Sequence, residues 1–117
     1  DVLTVHCPLT PQTENLICRK NLELMKPSAI VINTARGGIV NEQELADALN
    51  NGVIAGAGLD VLREEPMSET TPLKNAKNCI ITPHIAWAGI ETRKRVVEIA
   101  KDNLLSYLNG VRRNRIV

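Results

Sequence analysis

Four short apolar runs constrain this chain more than any other feature of it. They are VLTV (residues 2–5), AIVI (29–32), IAGAGL (54–59) and CII (79–81). A strand buried on one face alternates apolar with polar residues, and none of these runs does so cleanly. Unbroken apolar runs are the pattern of strands covered on both faces, as in a parallel sheet. The residue supply agrees: 44% of the 117 residues are hydrophobic, with one Trp, one Tyr and no Phe. A core of Val, Ile, Leu and Ala is what helices packed on a buried parallel sheet need.

Helical stretches lie between the runs. Residues 19–25 read as a helix stopped by Lys26-Pro27. Asn41 is placed to cap a second helix, with Glu44 positioned to reach back to the Asn41 backbone N–H, as in a capping box. That helix carries Leu45, Ala48 and Leu49 on one side and ends at Asn51-Gly52, where Gly suits a left-handed position. A last helix over 91–109 sets Val97, Ala100, Leu104 and Leu108 at spacings of three and four, with Gly110 as its stop. Residues 62–78 read as loop, because Pro66 and Pro72 break any long element.

Alternation of strand and helix implies an α/β fold with a parallel sheet and right-handed crossovers. The expectation is part of a doubly wound, Rossmann-like domain of about four parallel strands with flanking helices. Two features look incomplete. The chain opens inside a strand, and four strands leave an abrupt sheet edge at residues 1–6.

Composition excludes several classes of function. A formal net charge of +1 offers no electrostatic case for nucleic acid, and no basic stripe with interleaved aromatics occurs. Arg112, Arg113 and Arg115 cluster at the extreme end and read as a solvated tail. No apolar stretch approaches the roughly 20 residues of a membrane span, and the opening residues carry no signal-peptide pattern. Cys7, Cys18 and Cys79 form an odd set without C-x-x-C spacing. That points to free thiols in a reducing cytoplasm rather than disulfides or zinc. His6 and Cys7 are adjacent, so on a strand they face opposite ways, and no metal site is expected. His6 reads as structural, satisfied by a neighbouring backbone carbonyl.

In an open parallel sheet, ligands bind outside the carboxyl ends of the strands. The unusual residues all fall there: His6-Cys7-Pro8 after the first run, Thr34-Ala35-Arg36-Gly37-Gly38 after the second, Asp60 with Glu64-Glu65-Pro66 after the third, and Thr82-Pro83-His84 after the fourth. Each has a plain structural alternative. Arg36 is a reasonable solvated turn residue, Asp60 a reasonable Asx cap, Glu65 ordinary surface charge and His84 a satisfied structural histidine. Together on one rim, an Arg, two or three carboxylates and a His are harder to explain by packing alone. The chemistry they suit is removal or delivery of a proton beside a bound carboxylate. Histidine titrates near neutrality, a neighbouring carboxylate fixes its tautomer, and a guanidinium fork matches a carboxylate in two parallel bonds.

The segments V-H-C-P-L-T, I-N-T-A-R-G-G-I-V, A-G-A-G-L-D-V-L-R-E-E-P and I-T-P-H-I-A-W-A resemble, in order and spacing, the successive signatures of the D-isomer-specific 2-hydroxyacid dehydrogenases. The resemblance covers essentially the whole chain, and Ala86-Trp87 after His84-Ile85 is similar to the glycerate dehydrogenase (hydroxypyruvate reductase) branch. It implies that Arg36 binds the substrate carboxylate, that His84 is the general acid/base and that Glu65 is its carboxylate partner. It further implies a cofactor lined by Thr34, Ala35, Arg36, His84 and Ala86, with Asp60 on the nicotinamide carboxamide and Cys7, Pro8 and Thr13 near the adenosine half. Formate dehydrogenases resemble the same segment but place Gln where Glu65 stands. Glu65 therefore favours a hydroxy or keto acid, whose hydroxyl proton must be managed.

The family's G-x-G-x-x-G phosphate loop is absent from these residues, as is the residue that selects NAD over NADP. NAD is the expected cofactor, with NADP left open. Gly37-Gly38 stands in an Arg-led loop, and Gly56-x-Gly58 lies inside a strand, where Gly permits close packing. Residues 1–117 are thus expected to be the C-terminal part of a dinucleotide-binding domain, inactive alone. The full-length protein is expected to be a cytoplasmic homodimer acting on a small 2-keto or 2-hydroxy acid, hydroxypyruvate and D-glycerate foremost. A second reading is a dinucleotide-sensing corepressor-like scaffold, since transcriptional corepressors related to the family retain the same residues. A third is a folded fragment without activity.

Overall fold

The computed structural model describes residues 1–116, and Val117 falls outside the described residues. The chain divides into two compact units, Asp1–His84 and Ile85–Val117. The first holds β1 (Val2–Val5), α1 (Arg19–Leu22), β2 (Ile30–Asn33), a 3-10 turn (Gly37–Ile39), α2 (Glu42–Asn50), β3 (Gly56–Leu59), a second 3-10 turn (Pro72–Asn75) and β4 (Cys79–Ile81). All strand pairs are parallel and the sheet order is β1-β2-β3-β4. The expected α/β architecture is what the chain adopts.

Register decides which residues share a face. Val5, Asn33, Leu59 and Ile81 form one row across the sheet, and Leu3, Val31, Ala57 and Cys79 form the next row on the same face. Onto this face pack Leu22 of α1, Leu45, Ala48 and Leu49 of α2, and Leu73 of the second 3-10 turn, all buried. The opposite face carries Val2, Thr4, Ile30, Ile32, Gly58 and Ile80, of which Val2 is 63% and Ile80 71% exposed. Runs that read as buried on both faces are therefore covered on one face only among the described residues. Gly58 makes room there for Ile32, whose Cδ1 would lie 3.0 Å from a Cβ at residue 58.

The local signals mostly act as read, with instructive departures. Asn41 caps α2, its Oδ1 accepting from the Glu44 N–H at 3.1 Å. The reciprocal half of the capping box is not made, because the Asn41 N–H already donates to the Ile17 carbonyl at 2.9 Å. Glu44 instead accepts from the Arg19 N–H at 2.6 Å, so it serves the first turn of α1. α1 is a single turn that stops at Leu22, short of Met25. β3 starts at Gly56 rather than Ile54, while the Ala55 N–H still donates to Ala29 across the sheet. His6 finds its partner in the Thr4 hydroxyl, 2.7 Å from Nε2, and not in a backbone carbonyl.

In the second unit, α3 (Ile90–Leu108) ends before Asn109-Gly110, with Gly110 at φ +70°. It is not apolar enough to cross a membrane. None of its residues is buried, and Val97, Leu104 and Leu108 are all more than half exposed. The tail folds back onto the helix's polar side instead. Arg113 pairs with Asp102 at 3.4 Å, and the Asn114 amide donates to Asn103 at 2.9 Å. The apolar stripe of α3 is left exposed among the described residues of its own unit.

One-sided burial has a direct thermodynamic signature. In the 117-residue chain, Leu45→Ala should destabilise by about 2–5 kcal/mol, since Leu45 is fully buried. Ile80→Ala, on the bare face, should cost less than about 0.5 kcal/mol. Urea unfolding of the two variants checks the contrast, and equal losses would mean that the bare face is covered.

Candidate active site

β2 runs directly into Asn33, 1% exposed. Its side-chain oxygen accepts from the Ala35 N–H at 3.0 Å, and its Nδ2 donates to the Arg36 carbonyl at 3.0 Å. This Asx-type closure sets the backbone of residues 34–36. Thr34 and Arg36 are exposed and Ala35 is half-buried. The Arg36 guanidinium folds back to donate to the Ala35 carbonyl at 2.6 Å.

β3 delivers Asp60, which is buried. Its N–H donates to the Asn33 carbonyl at 2.9 Å, carrying the β2–β3 ladder one step past the strand end. Its carboxylate accepts from the Thr82 hydroxyl. β4 ends in Thr82-Pro83-His84, where the His84 N–H donates to the Asp60 carbonyl at 2.8 Å. His84 sits at φ +54°. A bulky residue in the left-handed region costs on the order of 1–3 kcal/mol and persists only where its surroundings hold it, often at functional sites.

The His84 side chain meets Glu65, Nδ1 to Oε2, at 2.7 Å. Glu65 Oε1 accepts from the Leu62 N–H at 3.0 Å. These two bonds, that to His84 foremost, hold the Glu65 carboxyl below its ordinary range, against a smaller opposing effect of burial. Glu65 therefore remains an anion across neutral pH.

Asp60, Glu65 and His84 line a concavity of about 710 Å³, whose apolar wall includes Met67, Leu73, Cys79 and Ile81. Burial pushes the Cys79 thiol up, so it stays protonated and acts as a small apolar surface. Arg36 does not line this concavity. Gly37 links the two: a Cβ at residue 37 would lie 1.9 Å from the Leu62 carbonyl carbon and 2.3 Å from Arg63 N. The residue after Arg36 is thus flush against the peptide that begins the Glu65 loop.

The remaining expected residues fall into two places. In the β1 loop, Cys7 packs against the core. The Thr13 hydroxyl donates to the Pro8 carbonyl at 2.7 Å and accepts from the Thr10 N–H at 2.8 Å. Ala86 belongs to the second unit, in a turn closed by the Ala88 N–H on the Ile85 carbonyl. Reading by motif passed over Asn33 and Thr82 as working residues. Polar residues at strand ends that can close their own loops were the signal available.

Residues 1–86 match the model of the D-isomer specific 2-hydroxyacid dehydrogenase NAD binding domain. The chain belongs to that family. It is 51% identical over 110 residues to a hydroxypyruvate reductase of Blautia hydrogenotrophica, covering 94% of this chain and 34% of that protein. It is 46% identical over 116 residues to a glycerate dehydrogenase of Methylorubrum extorquens, covering 97% and 37%. Among solved structures, it superposes on a D-isomer specific 2-hydroxyacid dehydrogenase of Lactobacillus delbrueckii ssp. bulgaricus in its NAD-complexed form. The TM-score is 0.83 at 36% identity, covering all of this chain and 39% of the other. The chain spans about a third of the length of the 2-hydroxyacid dehydrogenases that it matches.

The His84–Glu65 bond is checked by the Glu65 carboxyl itself. Followed by carboxyl-carbon NMR, Glu65 should titrate below the ordinary glutamate value of 4.5. In His84→Asn it should move up towards that value, because the largest lowering influence is gone. The stabilisation from the pair is present above the unfolded value and lost as pH falls through the lowered one. An unchanged Glu65 midpoint in His84→Asn would mean that the two side chains do not meet in solution.

Proposed function

We propose that the chain is the C-terminal part of the dinucleotide-binding domain of a 2-hydroxyacid dehydrogenase that interconverts a small 2-keto acid and its D-hydroxy acid, hydroxypyruvate and D-glycerate foremost. The observation that carries the reading is the His84–Glu65 pair, held at 2.7 Å on a backbone kept at φ +54°. Support for a missing remainder of the domain comes from the bare sheet face and from β1, which pairs on one side only among the described residues.

The donor set fits a nicotinamide dinucleotide. Asp60 is buried at the end of β3 and lines the concavity, to which the carboxyl ends of β3 and β4 contribute. Asp60 would hydrogen-bond the nicotinamide carboxamide, Thr34, Ala35, Arg36, His84 and Ala86 would line the cofactor, and Cys7, Pro8 and Thr13 would lie near its adenosine half. When bound, the cofactor supplies or accepts the hydride; NAD is the first expectation and NADP the second.

The chain's own residues manage the charge and the proton. Arg36 binds the substrate carboxylate in two parallel bonds and so orients the carbonyl. With Nδ1 of His84 engaged by Glu65, the proton exchanged with the substrate oxygen is the one on Nε2. The Glu65 anion accepts from Nδ1 and so holds the ring's tautomer and orientation. In reduction, His84 gives its proton to the forming alkoxide; in oxidation, the neutral ring takes the hydroxyl proton. Three free thiols suit a reducing cytoplasm, and a homodimer is the commonest assembly of soluble oligomers.

The test uses the full-length protein. It should oxidise NADH on addition of hydroxypyruvate, with glyoxylate as the smaller competitor substrate. Arg36→Lys keeps the charge but loses the fork, so KM should rise and kcat fall, for a combined loss of about 1.5–3 kcal/mol in kcat/KM. Wild-type kinetics in the lysine variant would remove Arg36 from the site, and no turnover of any 2-keto acid would remove the reading.

A further inference from the structure

Glu65 works only if the loop it stands on is held, and its holding group lies outside every motif. The loop follows β3 as residues 62–65. Glu42, the first residue of α2, reaches across to it: Oε1 accepts from the Arg63 N–H at 2.6 Å, and Oε2 accepts from the Thr71 hydroxyl at 3.3 Å. Thr71 in turn precedes the second 3-10 turn, whose Leu73 is fully buried. One carboxylate thus clamps the start of the Glu65 loop and its return segment to a helix that is anchored in the core by Leu45 and Leu49.

The Arg63 side chain ties the same point elsewhere. Its guanidinium donates to Glu14 at 3.0 Å and to the Asn15 side chain at 2.8 Å, while the Asn15 N–H donates to the Gly38 carbonyl at 2.9 Å. Gly37 closes the ring against the Leu62–Arg63 peptide. Loops from β1, β2 and β3 therefore converge at Arg63, the first on its guanidinium, and Glu42 is the side chain that fixes its backbone N–H. The next N–H back along the chain, that of Leu62, is the one that Glu65 Oε1 accepts from.

We propose that Glu42 is a positioning residue for the reaction: by fixing the Arg63 N–H it sets the loop on which Glu65 meets His84. The proposal rests on the function proposed above. Glu42 touches neither substrate nor proton; it acts through Glu65. An alternative role as a helix-start carboxylate that only stabilises α2 makes different demands on the experiment.

The experiment is a double-mutant cycle in the full-length protein. Glu42→Ala should lower kcat/KM for the 2-keto acid by about tenfold, mainly in kcat because Arg36 is untouched, the scale set by a small misplacement of a catalytic group. Glu42→Gln keeps an acceptor for the Arg63 N–H and should stay within about threefold of wild type. In a Glu65→Gln background, Glu42→Ala should have little further effect, because the route it acts by is already lost. Additive losses, or equal losses in the alanine and glutamine variants, would overturn the proposal and leave a stabilising role only. A parent without 2-keto acid turnover would defeat the proposed function instead. The proposal would then be decided by Glu65 carboxyl NMR: Glu42→Ala should raise the Glu65 midpoint as His84→Asn does, and an unmoved midpoint would refute it.

Discussion

A side chain at residue 37 would have to occupy the same space as the Leu62–Arg63 peptide. The backbone after Arg36 and the backbone that begins the Glu65 loop therefore touch directly. Much else follows from that contact. Two loops that leave different strands are locked into one rim, and the strand register brings Asn33, Leu59 and Ile81 level so that the ends deliver their polar residues together. Asp60 is then bridged on both sides, by the Asn33 carbonyl through its N–H and by Thr82 through its carboxylate. His84 is the last link, held by the Asp60 carbonyl in a backbone conformation that it would not choose alone.

The strands were legible because a parallel sheet needs aliphatic runs, and the four runs found the four strands to within two residues. Asn41 and the two left-handed glycines, Gly52 and Gly110, were equally plain, since each answers a local backbone demand. What could not be read was where a side chain goes when two local partners compete. Glu44 had a capping box available, yet the Asn41 N–H was already taken by Ile17, a residue distant in sequence. Glu42 stands in the first turn of α2, and its partner at Arg63 lies 21 positions away, visible only once the loops converge. Of the candidate site, the motif pairs His84 with Glu65, whereas the loop closure by Asn33 and the Thr82–Asp60 bond show only in the structure.

Among the described residues the two faces of the same sheet differ sharply in burial. One face carries a dense aliphatic layer against α1 and α2, and the other leaves Val2, Ile30 and Ile80 in water. The apolar stripe of α3 is likewise exposed among the described residues of its own unit, where the tail packs on the polar side. Apolar area left exposed contributes nothing to the hydrophobic stabilisation of the fold. The chain spans about a third of the length of the relatives that it matches.

The central claim is that Glu65 and His84 act on the reaction as one pair, joined from Oε2 to Nδ1 at 2.7 Å. The most direct measurement is kcat/KM for the 2-keto acid in the full-length protein and in its Glu65→Gln, His84→Asn and doubly substituted variants. Each single substitution should lower kcat/KM, and the double variant should lose little more than His84→Asn alone. Losses that simply add would contradict the account.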